Sequence, residues 1–204
     1  MEITANNEVE NISFKSTIEE MRKHFLLQLG KTKRVIGFGL SRLKVASSSE
    51  RSEGENEELV EVMGDTVSNV QAMTSDFSAT TQVSVNASSE EYINSNNSES
   101  DQARFKQQME DRRKKALAAS EKVINAAFDK ASKLGEKHPN LQNGILSVTD
   151  TMTQGIVSAA NFVADIVIEV VGKVINALSK AWSWITDQFA TAAKSIGNFF
   201  SNIF

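Results

Sequence analysis

Apolar residues recur at helical spacing along the last third of the chain, and the pattern stays in phase from Ile145 to Ile203. On a wheel of about 100 degrees per residue with Ile145 at zero, Ile156, Val163, Val167, Val170, Val174, Leu178, Ile185, Ile196 and Ile203 lie within about 60 degrees of one direction. Asp165, Glu169, Lys173, Lys180, Asp187 and Lys194 occupy an arc of roughly 80 degrees on the opposite side. Steps of eleven from Ile145 meet Ile156, Val167, Leu178, Phe189 and Phe200, all apolar, whereas steps of seven meet Lys173, Lys180, Asp187 and Lys194. A period near 11/3 suits a straight or slightly right-handed helix and disfavours a single left-handed heptad seam. Unbroken, the helix would be about 90 Å long at ~1.5 Å per residue. Gly155, Gly172 and Gly197 are the places for it to bend or divide, each weakening the helix by roughly 1 kcal/mol relative to alanine. Trp182 and Trp184 fall at about 100 and 300 degrees, the two margins of the apolar face, and aromatic rings favour such boundaries between apolar and polar surroundings.

The rest of the chain is patterned less strongly. Ser16-x-x-Glu19 forms a candidate capping box, and Ile18, Met21, Phe25 and Leu29 follow at helical spacing, so a basic amphipathic helix is predicted from Ser16 to Leu29. Ser47 to Asn56 reads as a polar linker. Val60, Met63, Val67, Val70, Thr74 and Phe77 predict one helix from Glu57 to Ser78. The stretch from Ala79 to Ser100 is rich in Ser, Asn and Thr and is expected to be flexible. Asp101 is the expected cap of a helix to Leu134, stopped by Gly135 with Pro139 beyond it. The expected fold is therefore all-α, in four regions: 1–46, with the basic helix; 47–100, acidic and partly disordered; 101–135, a charged helix; and 141–204, an amphipathic region divided at Gly172 or Gly197.

Charge follows the same blocks. Residues 15–44 hold eight Lys or Arg against two acids, residues 45–102 one against twelve, residues 103–138 ten against five, and residues 139–204 three against four. Arg22, Lys23, Lys31, Lys33, Arg34, Arg42 and Lys44 form one basic cluster, and Arg112, Arg113, Lys114 and Lys115 form a second that is a candidate contact for anionic lipid. A block of acids between two basic stretches with few aromatics among their basic residues argues against nucleic acid as a partner.

Recognisable chemistry is missing. The chain has no cysteine and two histidines, His24 and His138, far apart and outside any metal-ligand spacing, so each is expected to be an ordinary exposed histidine. Gly30-Lys31-Thr32 lacks the glycine that a phosphate-binding loop requires five positions before its Gly-Lys pair, because position 25 is Phe. Gly37 and Gly39 lack the third glycine of a dinucleotide fingerprint. No enzyme activity, metal or cofactor is expected.

What remains is a surface-binding helical protein. The face formed by Ile156, Val163, Val167, Val170, Val174, Leu178, Trp182, Ile185, Phe189, Ile196 and Phe200 is expected to meet a lipid membrane or lipid surface, or partner helices, with self-association as a further use. Asp165, Glu169 and Lys173 each cost about 2.5 to 3.5 kcal/mol near the middle of a transmembrane helix, so an interfacial helix is favoured over a lone span. The alternative is a helical scaffold whose apolar face packs only on protein. No signal peptide of the usual form is read at the amino end, and the expected location is membrane-associated from a soluble form, cytoplasmic or secreted by a signal-independent route. In pattern alone the chain resembles secreted membrane-active proteins such as helical pore formers and translocators. Its eleven-residue lane is similar to the lipid-coating helices of apolipoproteins and lipid-droplet proteins.

Overall fold

A computed structural model of the chain describes residues 13–31, 34–40, 52–176 and 178–204, the side chains of residues 178 and 179 excepted. Five α-helices and no strand occur among them: α1 (Phe14–Gln28), α2 (Glu53–Ile93), α3 (Glu99–Lys137), α4 (Gln142–Asn176) and α5 (Leu178–Phe200). The class is all-α.

Helix starts follow hydrogen-bonding chemistry. Ser52 with Glu55 and Ser98 with Asp101 form complete capping boxes for α2 and α3. Asp101, expected as the cap, stands at the third helical position instead. Its carboxyl is held below the ordinary carboxylate range by the hydroxyl and then the backbone N–H of Ser98. Ser13, not Ser16, caps α1, accepting the Ser16 N–H at 3.3 Å. That earlier start brings Phe14 onto Gly135 of α3, where its ring occupies the space a Cβ would need. The same contact accounts for a glycine at 135, which does not end α3: the helix runs on to Lys137.

The largest departure from expectation is α2, one helix through to Ile93 where residues 79–93 are expected to be flexible. The seam continues past Phe77 as Thr81, Val85, Ser88, Ser89 and Tyr92, all buried. Ser and Thr can occupy such positions when their hydroxyls bond back to the preceding turn. Thr74 donates to the Val70 carbonyl and Thr81 to the Phe77 carbonyl, both at 2.7 Å. The phase of the seam also differs at its start, since Leu59 is buried and Val60 is 43% exposed.

Side-chain pairings give the directions of the helices. Tyr92 stacks on Phe105 at 4.9 Å just across the α2–α3 turn, and Gln108 donates to Glu91 at 2.9 Å, so α2 and α3 are antiparallel. A 3-10 turn at Pro139–Leu141 reverses the chain into α4, where Gln142 donates to the Gly135 carbonyl at 3.0 Å. α5 then folds back along α4: the Lys173 ammonium lies 5.4 Å from the Trp184 ring centroid, and Phe199 packs on Gly155. The helical track is thus a hairpin divided between Asn176 and Leu178, not at Gly172, which lies inside α4, nor at Gly197, which lies inside α5. Ala177, between them, lies outside the described residues.

The result is a bundle of α2, α3, α4 and α5 with α1 laid along α3 and α4. α4 is its axis, because it packs on all four other helices. This explains its sequence: a helix surrounded by others buries residues all round, and the polar arc shrinks to a strip.

Candidate membrane or partner face

The residues of the expected apolar face come together, but inside the bundle. Ile156, Val163, Val170, Val174 and Ile185 have no exposed surface, and Val167, Phe189, Ile196 and Phe200 are also buried. Trp182 alone among those described is open to solvent, at 37%. Leu178 begins α5, and its side chain lies outside the described residues. On the opposite side, Glu169, Lys173, Lys180, Asp187 and Lys194 are exposed. Together with its preceding turn, α4 spans Pro139–Asn176 and is the one helix among the described residues long and apolar enough to cross a bilayer. Most of its apolar stretch is buried, as in the core helix of a water-soluble bundle.

Between α4 and α5 lies a half-open cavity of about 290 Å³, lined by Gly155, Ala159, Phe162, Ala192, Ile196 and Phe199, with the exposed Ser158 and Ser195 beside them. The small side chains of Ala159 and Ala192 and the bare backbone of Gly155 leave this space beside the Phe199 ring, which packs on Gly155.

The basic quartet does not act as one patch. Arg112 is half-buried and donates to the Ser88 hydroxyl at 3.4 Å, while Arg113 reaches the Gly30 carbonyl at 3.4 Å and Glu110 at 3.6 Å. Lys114 and Lys115 are exposed. Two of the four cations thus tie helices together, and two face outward. Of the amino-terminal basic cluster, Arg22 bonds Asp129 at 2.6 Å and covers the Phe128 ring, whereas Lys33, Arg42 and Lys44 lie outside the described residues.

Two polar residues of α4 that sequence reading passed over fasten the amino-terminal segment. The Gly30 N–H donates to Asn161 Oδ1 at 2.6 Å, and Asn161 Nδ2 donates to the Gln28 carbonyl at 3.2 Å, which secures the end of α1. Gly30 takes a φ of 72°, the left-handed conformation that a helix end favours and glycine adopts without steric cost. The chain after α1 then returns along α4. Gln28 brackets Ile36, accepting its N–H at 2.7 Å and donating to its carbonyl at 2.8 Å, and the Phe38 N–H donates to Asp150 Oδ1 at 2.8 Å. His24 is not an ordinary exposed histidine. It is half-buried, with Nε2 2.8 Å from the Ile36 carbonyl and its ring edge-on to Phe25 and Phe38. His138 is half-buried at the end of α3. A polar residue inside an apolar run, as Asn161 is between Ala160 and Phe162, was the available signal.

Burial pushes the Asp150 carboxyl above the ordinary carboxylate range, against the opposing pull of the Phe38 N–H, the Gln154 amide and His24. A carboxyl with a raised folded-state pKa holds its proton more tightly folded than unfolded. Its contribution to stability is therefore present at low pH and is lost as pH rises through the folded value. Asp150→Asn removes that dependence, so the variant should gain on the wild type between pH 4 and pH 7 in urea unfolding. A constant difference across that range would contradict the assignment.

No family model matches the chain. Neither a curated protein nor a solved structure matches it.

Proposed function

We propose that this chain is a non-enzymatic, membrane-active helical protein that keeps the apolar α4–α5 hairpin inside a closed bundle and turns it onto a lipid bilayer. The observation that carries the reading is the contrast between the two sides of that hairpin. Its own buried residues are mostly apolar, whereas α2, on which α5 packs, buries Thr66, Thr74, Ser78, Thr81, Ser88 and Ser89 among its apolar residues. Burying a hydroxyl-bearing side chain returns less free energy than burying Val, Leu, Ile or Phe, each worth about 1.5–3 kcal/mol. An opening between α5 and α2 presents Ile185, Phe189, Ile196 and Phe200. Lys114 and Lys115 supply the approach to anionic headgroups.

Both tryptophans of the chain are in α5, so the protein carries its own probe. Vesicles containing brominated lipid are expected to quench Trp182 and Trp184 and shift their emission to the blue, more strongly with anionic lipid. Emission unchanged by neutral and by anionic vesicles, at neutral and at acidic pH, would overturn the reading. The same result would favour the second one, a helical scaffold, which is supported by the near-complete use of the apolar face in packing within the bundle.

A further inference from the structure

We infer that the groove between α2 and α3 holds a binding site for a phosphoryl group, built on Arg112 and Lys115. The groove contains a half-open cavity of about 170 Å³. Buried Phe77 and Ala116 line it together with Thr80 and Ser84 of α2 and Arg112 and Lys115 of α3. Water fills ~30 Å³ per molecule, so the cavity has room for about five. A phosphate has as many heavy atoms.

Arg112 is the residue that points to an anion. Among the described residues, Arg22, Arg112 and Arg113 each have a buried Nε without a hydrogen-bond partner. Arg22 meets its charge on Glu19 and Asp129, and Arg113 on Glu110. Arg112 has no carboxylate within ion-pair distance among the described residues, and its one hydrogen bond goes to the Ser88 hydroxyl at 3.4 Å. A half-buried guanidinium has given up part of its hydration, and a long bond to a neutral hydroxyl returns little of it. The guanidinium fork offers a tetrahedral oxyanion two parallel N–H bonds.

The neighbours suit the same group. Lys115 lies one turn along α3, exposed and without an ion pair among the described residues, and adds a second positive charge. Thr80 and Ser84 make no side-chain hydrogen bond within the described residues, so both hydroxyls can donate. Donors therefore come from both helices. A phosphoryl group presents three strong acceptor oxygens to them, whereas a carboxylate presents two. The one acid of the cavity, Asp76, is exposed and stands two helical turns before Ser84, about 12 Å along α2 at ~1.5 Å per residue. It disfavours ligands with a second anionic group at that end.

This chemistry is shared by free phosphate, phosphate esters and lipid headgroups. The site needs no opening of the bundle, so its failure and that of the membrane reading are separate outcomes. The Arg112 Nε–H signal in a proton–nitrogen correlation spectrum of the full chain, assigned by its loss in Arg112→Lys, reports on it directly. Inorganic phosphate added at neutral pH and constant ionic strength should move that signal saturably and leave those of Arg22 and Arg113 in place. Acetate, unable to reach both helices, should bind about tenfold more weakly. Lys115→Gln changes an exposed side chain, so the variant should fold as the wild type does and bind phosphate about threefold more weakly, the size of one exposed charged contact. Short-chain phosphatidic acid, kept monomeric, separates the sources. A saturable shift with it assigns the site to headgroup phosphate, and a response to inorganic phosphate alone assigns it to a free phosphate ligand. The inference is overturned if the Arg112 signal answers neither, or moves no more than that of the exposed Arg104. Equal affinity for acetate, or unchanged phosphate binding in Lys115→Gln, overturns it as well.

Discussion

Val167→Asp is expected to unfold the bundle. Val167 is 1% exposed on the helix that packs on all four others. An unpaired charge at such a site costs several kcal/mol, a large part of the roughly 5–15 kcal/mol that holds a typical domain together. Far-UV circular dichroism during urea unfolding checks it, and a midpoint equal to that of the wild type would mean the face is not buried. The result bears on any lipid experiment. On a freely exposed amphipathic helix the same change would only weaken binding, whereas here it removes the fold first. Ile168, 51% exposed on the same helix, is the matching control. Ile168→Asp should leave the midpoint nearly unchanged, because surface substitutions typically fall within about 0.5 kcal/mol.

Phe128→Ala should cost about 3–5 kcal/mol, the usual loss for a fully buried aromatic side chain. Phe128 has no exposed surface, lies 6.4 Å from Phe25 between ring centroids, and carries the Arg22 guanidinium 5.7 Å from its own centroid. Arg22 in turn bonds Asp129 at 2.6 Å. The ring therefore joins α1 to α3 through both an apolar and a cationic contact. Urea unfolding measures the loss. Limited proteolysis of the variant should cut first within α1, since its anchor on α3 has gone, while a loss below 1 kcal/mol with α1 still protected would count against this role.

The sequence made the architecture legible where side-chain size and periodicity agreed. α3 and the apolar arc of α4 and α5 were readable because Val, Ile and Phe mark a buried face without help from neighbours. The carboxyl-terminal half of α2 was not, because Thr81, Ser88 and Ser89 look like linker residues until a hydroxyl has a carbonyl to bond, as Thr81 does. The place of the fold-back was hidden for the opposite reason, since the lane through Leu178 is uninterrupted and the glycines at 172 and 197 are better helix breakers than Asn176 or Ala177. The candidate face was identified residue by residue, but whether lipid or protein covers it stayed open, because an apolar stripe has the same pattern in either case. Asn161 and Asp150 depend on backbone groups of residues 28–38, contacts that no local spacing announces.

The hydroxyl-lined seam of α2 has a further consequence during synthesis. A chain made from its amino end completes α1, α2 and α3 before α4, the helix on which all of them pack, has emerged. Exposed apolar strips invite aggregation in that interval. A seam carrying Thr74, Ser78, Thr81, Ser88 and Ser89 stays hydrated while it waits, and the greasiest segments, α4 and α5, are made after it and have a prepared surface to close upon.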